Sequence, residues 1–402
     1  MQTSSWRTPG IVLLCGGLVL SISLGVRHAF GLFLTPMSLD LGWGRETFAL
    51  AIALQNLVWG ISQPFAGRLA DRYGAGWIVF GGAVLYVLGL YMMHHSLTEL
   101  SLLISAGIVI GIGLSGTTFP VVFGVISRAL PAEKRSWAMG VAMSVGSLGQ
   151  FVLLPGSNAL IASVGWSEAL LLLAAMSLLM LPLSSALMEP GAKKTQQTLP
   201  LKQVLNEALR HRGFWLLSFG FFVCGFQVVF IGTHLPAFLM DGGLGLTIGS
   251  MTLALIGLFN IAGSYLAGFW GGRYPKPILL SGIYIARLVV IAIFLVFPLS
   301  VWSAYAFAIA MGILWLSTVP LTNGTVATIF GVDNMSMLAG VVFLFHQLGA
   351  FLGGWLGGYL YDIFGSYDAV WVIAMGLSLV AAMLNLPIKE RAVTRLAEAR
   401  VC

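Results

Sequence analysis

Two arginines, Arg27 and Arg287, stand inside long apolar runs of this chain, at about 11–34 and 277–297. Runs of that length can cross a bilayer as helices. A charge near the bilayer centre costs roughly 2.5–3.5 kcal/mol on insertion scales, so each arginine calls for a partner or a watery cavity. No Asp or Glu lies in the interior of any such run. A guanidinium without a protein carboxylate is suited to receive an anion, because its planar fork can meet a carboxylate with two parallel hydrogen bonds. His28 and His346 are the groups in the runs that could titrate near neutral pH and hold a proton. Asn56, Gln63, Gln150, Gln227, Asn260, Asn323 and Gln347 carry amides that would lose hydrogen bonds in lipid, so they should face inward. The expected solute-binding set is Arg27, His28, Asn56, Gln150, Gln227, Asn260, Arg287, Asn323 and His346. Arg27 is its expected anchor. Gln227, 200 residues later, is the expected polar partner in the pocket. Arg287 has a second reading, as a pin holding its run against the neighbouring ones.

Other chemistry has no residues to support it. There is no His, Cys and carboxylate cluster at metal spacing and no nucleophile beside a base, so no metal, cofactor or catalytic residue is expected, and no enzyme. The glycine-rich stretch 353–358 lies in an apolar run without a P-loop lysine; close helix packing explains it better. Cys15, Cys224 and Cys402 are far apart; the first two read as small apolar-run thiols.

The positioning elements follow from composition. Of 402 residues, 58% are hydrophobic and 8% charged, against about 25% charged in a soluble domain. The outside must face lipid. Twelve apolar runs appear, at about 11–34, 47–69, 77–95, 101–127, 136–162, 168–188, 213–239, 247–271, 277–297, 301–328, 336–361 and 368–388. The first is too long for a signal peptide and is expected to remain as a membrane helix. Alternate connections hold the basic residues: Arg7; Arg68 and Arg72; Arg128, Lys134 and Arg135; Lys193, Lys194, Lys202, Arg210 and Arg212; Arg273 and Lys276; and Lys389, Arg391, Arg395 and Arg400. The other connections hold only Arg45 among basic residues, with Asp40, Glu46, Glu99, Glu168, Asp241, Asp362 and Asp368. Lys and Arg are retained on the cytoplasmic side, so both termini are expected inside. This also covers the net charge of +6 without nucleic acid. The expected organisation is an N-terminal six-helix half 1–188, a cytoplasmic linker 189–212, a C-terminal half 213–388 and a tail 389–402.

The halves echo each other. Pro120 and Gly124 recur as Pro320 and Gly324, and Gly140, Leu148 and Gly149 as Gly340, Leu348 and Gly349. One residue off that register, Gly67, Arg72 and Tyr73 recur as Gly268, Arg273 and Tyr274. The expected fold is an all-α membrane protein of twelve transmembrane helices in two pseudo-symmetric six-helix halves, with a solute site between them.

Residues 67–74, Gly-Arg-Leu-Ala-Asp-Arg-Tyr-Gly, resemble the loop signature of the major facilitator superfamily. Gly67, Leu69, Asp71, Arg72 and Gly74 match it; Ala75 and Gly76 stand where basic residues are usual. The resemblance implies the major facilitator fold and a gating latch of Gly67, Asp71, Arg72, Gly74 and Arg273, with Arg72 pairing across the halves. It also implies that the first span lines the central cavity, so that Arg27 can reach solute. The segments 26–33, 232–236 and 345–349 look like bacterial monocarboxylate porters and oxalate/formate exchangers. Three departures stand out: residues 259–264 lack the charged pair of the monocarboxylate porters' eighth span, Gly107 stands about where many proton-coupled members place an arginine, and residues 140–156, with Pro155 late, do not clearly show the central Gly-Pro of the antiporters' fifth span. The expected function is secondary transport of a small organic anion, a monocarboxylate or short dicarboxylate, across a bacterial inner membrane. A proton or counter-anion is the candidate coupling partner, with the lipid bilayer as surroundings and the monomer as working unit. A proton-driven exporter and a non-translocating solute sensor are the alternatives.

Overall fold

The computed structural model describes residues 6–43, 45–189 and 200–393. Lys193, Lys194, Arg395, Arg400 and Cys402 lie outside them. Eleven helices among the described residues are long and apolar enough to cross a membrane: α1 Pro9–Phe33, α3 Ala75–His94, α4 Glu99–Ala129, α5 Ala132–Val164, α6 Trp166–Leu187, α7 Arg212–Asp241, α8 Leu246–Gly271, α9 Lys276–Val296, α10 Val301–Phe330, α11 Met335–Phe364 and α12 Asp368–Asn385. The twelfth, α2 Arg45–Tyr73, has 29 residues, about 44 Å at 1.5 Å each. Gln55, Asn56, Gln63, Arg68, Asp71 and Arg72 dilute its hydropathy, and all of these but Arg72 bond to other parts of the chain. A short helix Leu201–Arg210 precedes α7.

The local signals explain the ends and breaks. Thr8 caps α1 by accepting from the Ile11 amide at 3.3 Å, with Pro9 at the first helical position. Gly74 turns the chain between α2 and α3 at φ 95°, where a side chain would be strained. α4 breaks at Thr118, whose backbone is extended, and restarts at Phe119 with Pro120 in the first turn. α10 breaks at residues 315–317 and restarts at Thr318, again with Pro320 close behind. The proline lacks an N–H, and its ring opposes the carbonyl four residues earlier. The two prolines are 200 residues apart, and the breaks fall within three residues of that spacing.

The repeat continues into side-chain contacts. Tyr86 donates to the Ser23 carbonyl at 2.9 Å, and Tyr284 donates to that of Gly220 at 2.7 Å. Ser23 bonds Thr117 at 2.8 Å; Cys224 meets Thr318 at 3.1 Å. Glu189 accepts from the Ala75 amide at the start of α3, and Glu390 from the Lys276 amide at the start of α9.

Two seams join the halves. Along α2 and α11, a Cβ on Gly67 would overlap the Ser336 carbonyl, Gly340 lies against Gln63 and Pro64, and Gly60 against Gln347. Along α5 and α8, Gly140 and Gly268 face each other, and a Cβ on Gly268 would come within 2.7 Å of the Ser136 carbonyl. These close approaches start at the end of the bundle that carries Arg68, Arg128, Lys134 and Lys276, hereafter the basic end. They reach mid-span at Asn56–Gln347 and Ser147–Asn260.

Candidate functional site

Arg27 lies in the last turns of α1, partly buried. Its Nη2 donates to Oδ1 of Asn56 on α2, and its guanidinium sits 5.1 Å from the centre of the Trp59 ring. Among the described residues no carboxylate pairs with it, and its buried Nε has no protein partner. Asn56 carries the contact across to the other half: Gln347 on α11 donates to the Asn56 carbonyl at 3.1 Å and to its Oδ1 at 3.3 Å. Gln347 Oε1 is in turn 3.1 Å from Nδ1 of His346.

His28 completes the α1 side. Its Nδ1 is 2.6 Å from the Leu24 carbonyl and its Nε2 is 2.8 Å from the Gln150 amide nitrogen on α5. The tautomer that satisfies both carries its proton on Nδ1 and accepts from Gln150 on Nε2. Towards the basic end an aromatic layer closes the space. Trp59 packs on Phe343 with ring centres 4.8 Å apart, and Phe343 stacks on His346 at 5.2 Å. His346 also meets Phe221 of α7 at 4.7 Å. Both halves therefore contribute to one polar cluster, with an aromatic layer on its basic side. Trp59 and Phe343 were not singled out from sequence. The signal was there for Trp59, which follows Asn56 by three residues and shares its helix face.

Four expected members lie elsewhere. Arg287 is 1% exposed and makes none of its bonds to this cluster. Its Nη2 donates to the carbonyls of Leu314, at 2.7 Å, and Trp315, and its Nη1 to Gln227 Oε1 at 3.1 Å. The break in α10 strips those carbonyls of their helical donors, and Arg287 replaces them. It pins α9 to α10 and α7. Gln227 is correspondingly drawn away from Arg27: it bonds Arg287, the Ala374 carbonyl at 2.9 Å and Ser378. Asn260 is fully buried and spends its amide on Ser147, Ser264 and the Leu316 amide, bridging α8 to α5 and to the α10 break. Asn323, on α10, donates to the Val319 carbonyl at 2.9 Å and keeps its Oδ1 without a protein partner.

At the basic end the signature residues form a charged cluster. The Asp71 side chain has no solvent exposure. It accepts from the Ser336 and Met337 amides at 3.2 and 2.9 Å, in the first turn of α11, and from Arg128 at 2.9 Å. A carboxylate at a helix N-terminus is favoured by the dipole and the free amides. Arg128 also meets Glu189 at 2.8 Å. The cross-half bond expected of Arg72 is made instead by Arg68, to Asn334 at 2.8 Å. Arg72 is exposed and stacks on Tyr73, because it lies on the outer side of the last turn of α2. Arg273 likewise stacks on Phe269, 3.9 Å from the ring centre.

Comparison with known proteins agrees with this architecture. The sequence pattern of the Major Facilitator Superfamily matches residues 13–354. Human monocarboxylate transporter 11 is 26% identical over 379 residues, covering 90% of this chain and 79% of that protein. The MFS-type transporter YcxA of Bacillus subtilis is 25% identical, covering 91% and 92%. The oxalate:formate antiporter of Oxalobacter formigenes is 23% identical, covering 89% and 86%. The fold matches the crystal structure of the transporter FucP in the outward conformation, with a TM-score of 0.74 at 14% identity over 94% of this chain and 97% of that one. Multi-pass, α-helical and built from two like halves, the chain belongs to the Major Facilitator Superfamily of transporters.

Proposed function

We propose that this transporter moves a small organic anion, bound through one carboxylate by Arg27, by alternating access between the halves 1–188 and 213–388. The observation that carries the reading is Arg27 itself: a partly buried guanidinium with a free Nε, bonded to Asn56, which Gln347 of the other half also meets, and set beside the Trp59 ring. Buried charge is costly unless paired, and the missing negative charge arrives with the cargo. Asn56, Gln347, His28 and Gln150 form the neutral rim, and Trp59 and Phe343 the apolar layer. Because Arg287 is committed to the α10 break, the cluster presents one fixed positive charge, which favours a monocarboxylate over a short dicarboxylate.

Orientation follows the basic residues: the basic end is cytoplasmic, with both termini there, in a bacterial plasma membrane. On that assignment the glycine seams are closed on the cytoplasmic side. A proton or a counter-anion remains the candidate coupling partner. The test is uptake of labelled lactate, pyruvate or oxalate into proteoliposomes. Arg27→Gln is expected to lower uptake about 30-fold or more, the scale of a lost buried charge pair. Full uptake by that variant would remove Arg27 from the mechanism, and preference for oxalate would reverse the monocarboxylate assignment.

A further inference from the structure

The α5–α8 seam contains a cavity at the basic end, separate from Arg27. It has a volume of about 180 Å³ and is lined by residues of both halves, among them Ala132, Glu133, Ser136, Gly272, Lys276 and Glu390. We propose that this cavity binds a small oxyanion, phosphate or a short carboxylate, from the basic side, and that the bound anion holds the α5–α8 seam closed.

Three observations converge on an anion. The first turn of α5 forms one wall, through Ala132 and Glu133, so a long helix presents its N-terminal end to the cavity. Ser136 is 4% exposed, and its Oγ has no protein partner. Lys276 supplies charge: its ammonium has three donors, of which one meets Glu390 at 2.9 Å and one Thr328 at 3.3 Å. Neighbouring acids do not already fill this role. Glu390 has both oxygens committed, to the Lys276 ammonium and amide, and Glu133 is exposed. The volume is that of about six waters at 30 Å³ each, enough for a small oxyanion and too small for a nucleotide.

The repeat says why an anion belongs there. In the other seam the first turn of α11, at Ser336 and Met337, receives the Asp71 carboxylate. Ser136 stands 200 residues before Ser336 but is the fifth residue of α5, so it offers its free hydroxyl rather than a first-turn amide, and the counterpart of Asp71, 201 residues on, is Gly272. A Cβ on Gly272 would meet nothing closer than 3.5 Å. One seam carries its own carboxylate; the other offers donors, a cation and room for one from solution.

The experiment is thermal unfolding of the purified full-length protein in detergent, with sodium phosphate, sodium acetate or sodium chloride at matched ionic strength and pH. Wild type is expected to gain about 1–3 °C over chloride at tenfold the half-saturating concentration. A gain with phosphate alone identifies phosphate as the ligand; a gain with acetate as well extends it to carboxylates. Ser136→Ala is expected to lose most of the gain, and Gly272→Asp, which brings its own carboxylate, all of it. Arg27→Gln is expected to keep it, which separates this site from the cargo site whatever becomes of the transport reading. The same anion should narrow the distance distribution between spin labels at positions 134 and 274. No gain in wild type, an undiminished gain in Ser136→Ala, or a gain lost in Arg27→Gln would overturn the proposal.

Discussion

The α2–α11 and α5–α8 seams use the same steric device with different electrostatics. In each, a glycine of the second or eighth helix lies against the backbone of a serine on the eleventh or fifth: Gly67 on Ser336, Gly268 on Ser136. Beside the first contact sit Asp71, Arg128 and Glu189. Beside the second sit Gly272, the Lys276–Glu390 ion pair at 2.9 Å, and neutral hydrogen bonds, Ser144 to the Ile261 carbonyl at 2.8 Å and Asn260 to Ser147 at 2.8 Å. A buried ion pair is weak evidence of net stability, because desolvation offsets much of its attraction. Close backbone packing therefore holds both seams, and the two differ in where charge is placed: only the first seats a carboxylate on the first turn of the facing helix.

The largest expected effect breaks the shared device. A methyl group on Gly67 overlaps the Ser336 carbonyl, and one on Gly268 falls 2.5 Å from the Gly140 Cα; both obstacles are backbone and cannot rotate away. Overpacking of this kind costs about 1–3 kcal/mol, or roughly a 5- to 150-fold shift away from the closed seam. Gly67→Ala and Gly268→Ala should each lower transport about tenfold or more. Spin labels at 73 and 333, and at 134 and 274, should move apart. A neutral Gly268→Ala beside a damaging Gly67→Ala would show that the seams are not mechanically equivalent.

A smaller effect probes the α5–α8 seam alone. Asn260→Ala leaves the buried Leu316 amide without its acceptor and Ser147 without its donor. An unsatisfied buried group costs about 1–3 kcal/mol, so the variant should unfold at a lower temperature and loosen the 134–274 distance more than the 73–333 distance. Equal loosening of both would mean that Asn260 acts on the whole bundle rather than on its seam.

Much of this architecture was legible in sequence. Helix lengths, the 200-residue repeat and the Pro120 and Pro320 breaks follow from hydropathy and from the missing proline N–H, both local properties. Arg27 was readable because no acid lies in the interior of any apolar run. The pin was one of the two readings of Arg287, but its partners and the fate of Gln227 were not legible, because they depend on carbonyls freed at the break in α10. A break can be seen in sequence, but not which side chain will satisfy it. Arg68 and Arg72 differ by one helical turn, and only the packing of α11 decides which of them faces the seam.

The smallest effect sharpens the comparison through charge. In the α2–α11 seam Asp71 accepts from the Ser336 and Met337 amides and from Arg128. Asp71→Asn keeps an acceptor for the amides and removes the charge, while Arg128 retains Glu189. Desolvation offsets much of a buried pair's attraction, so the distance distribution between labels at 73 and 333 should broaden modestly, and that between labels at 134 and 274 should stay as it is. Equal broadening of both would mean that Asp71 acts on the whole bundle rather than on its own seam.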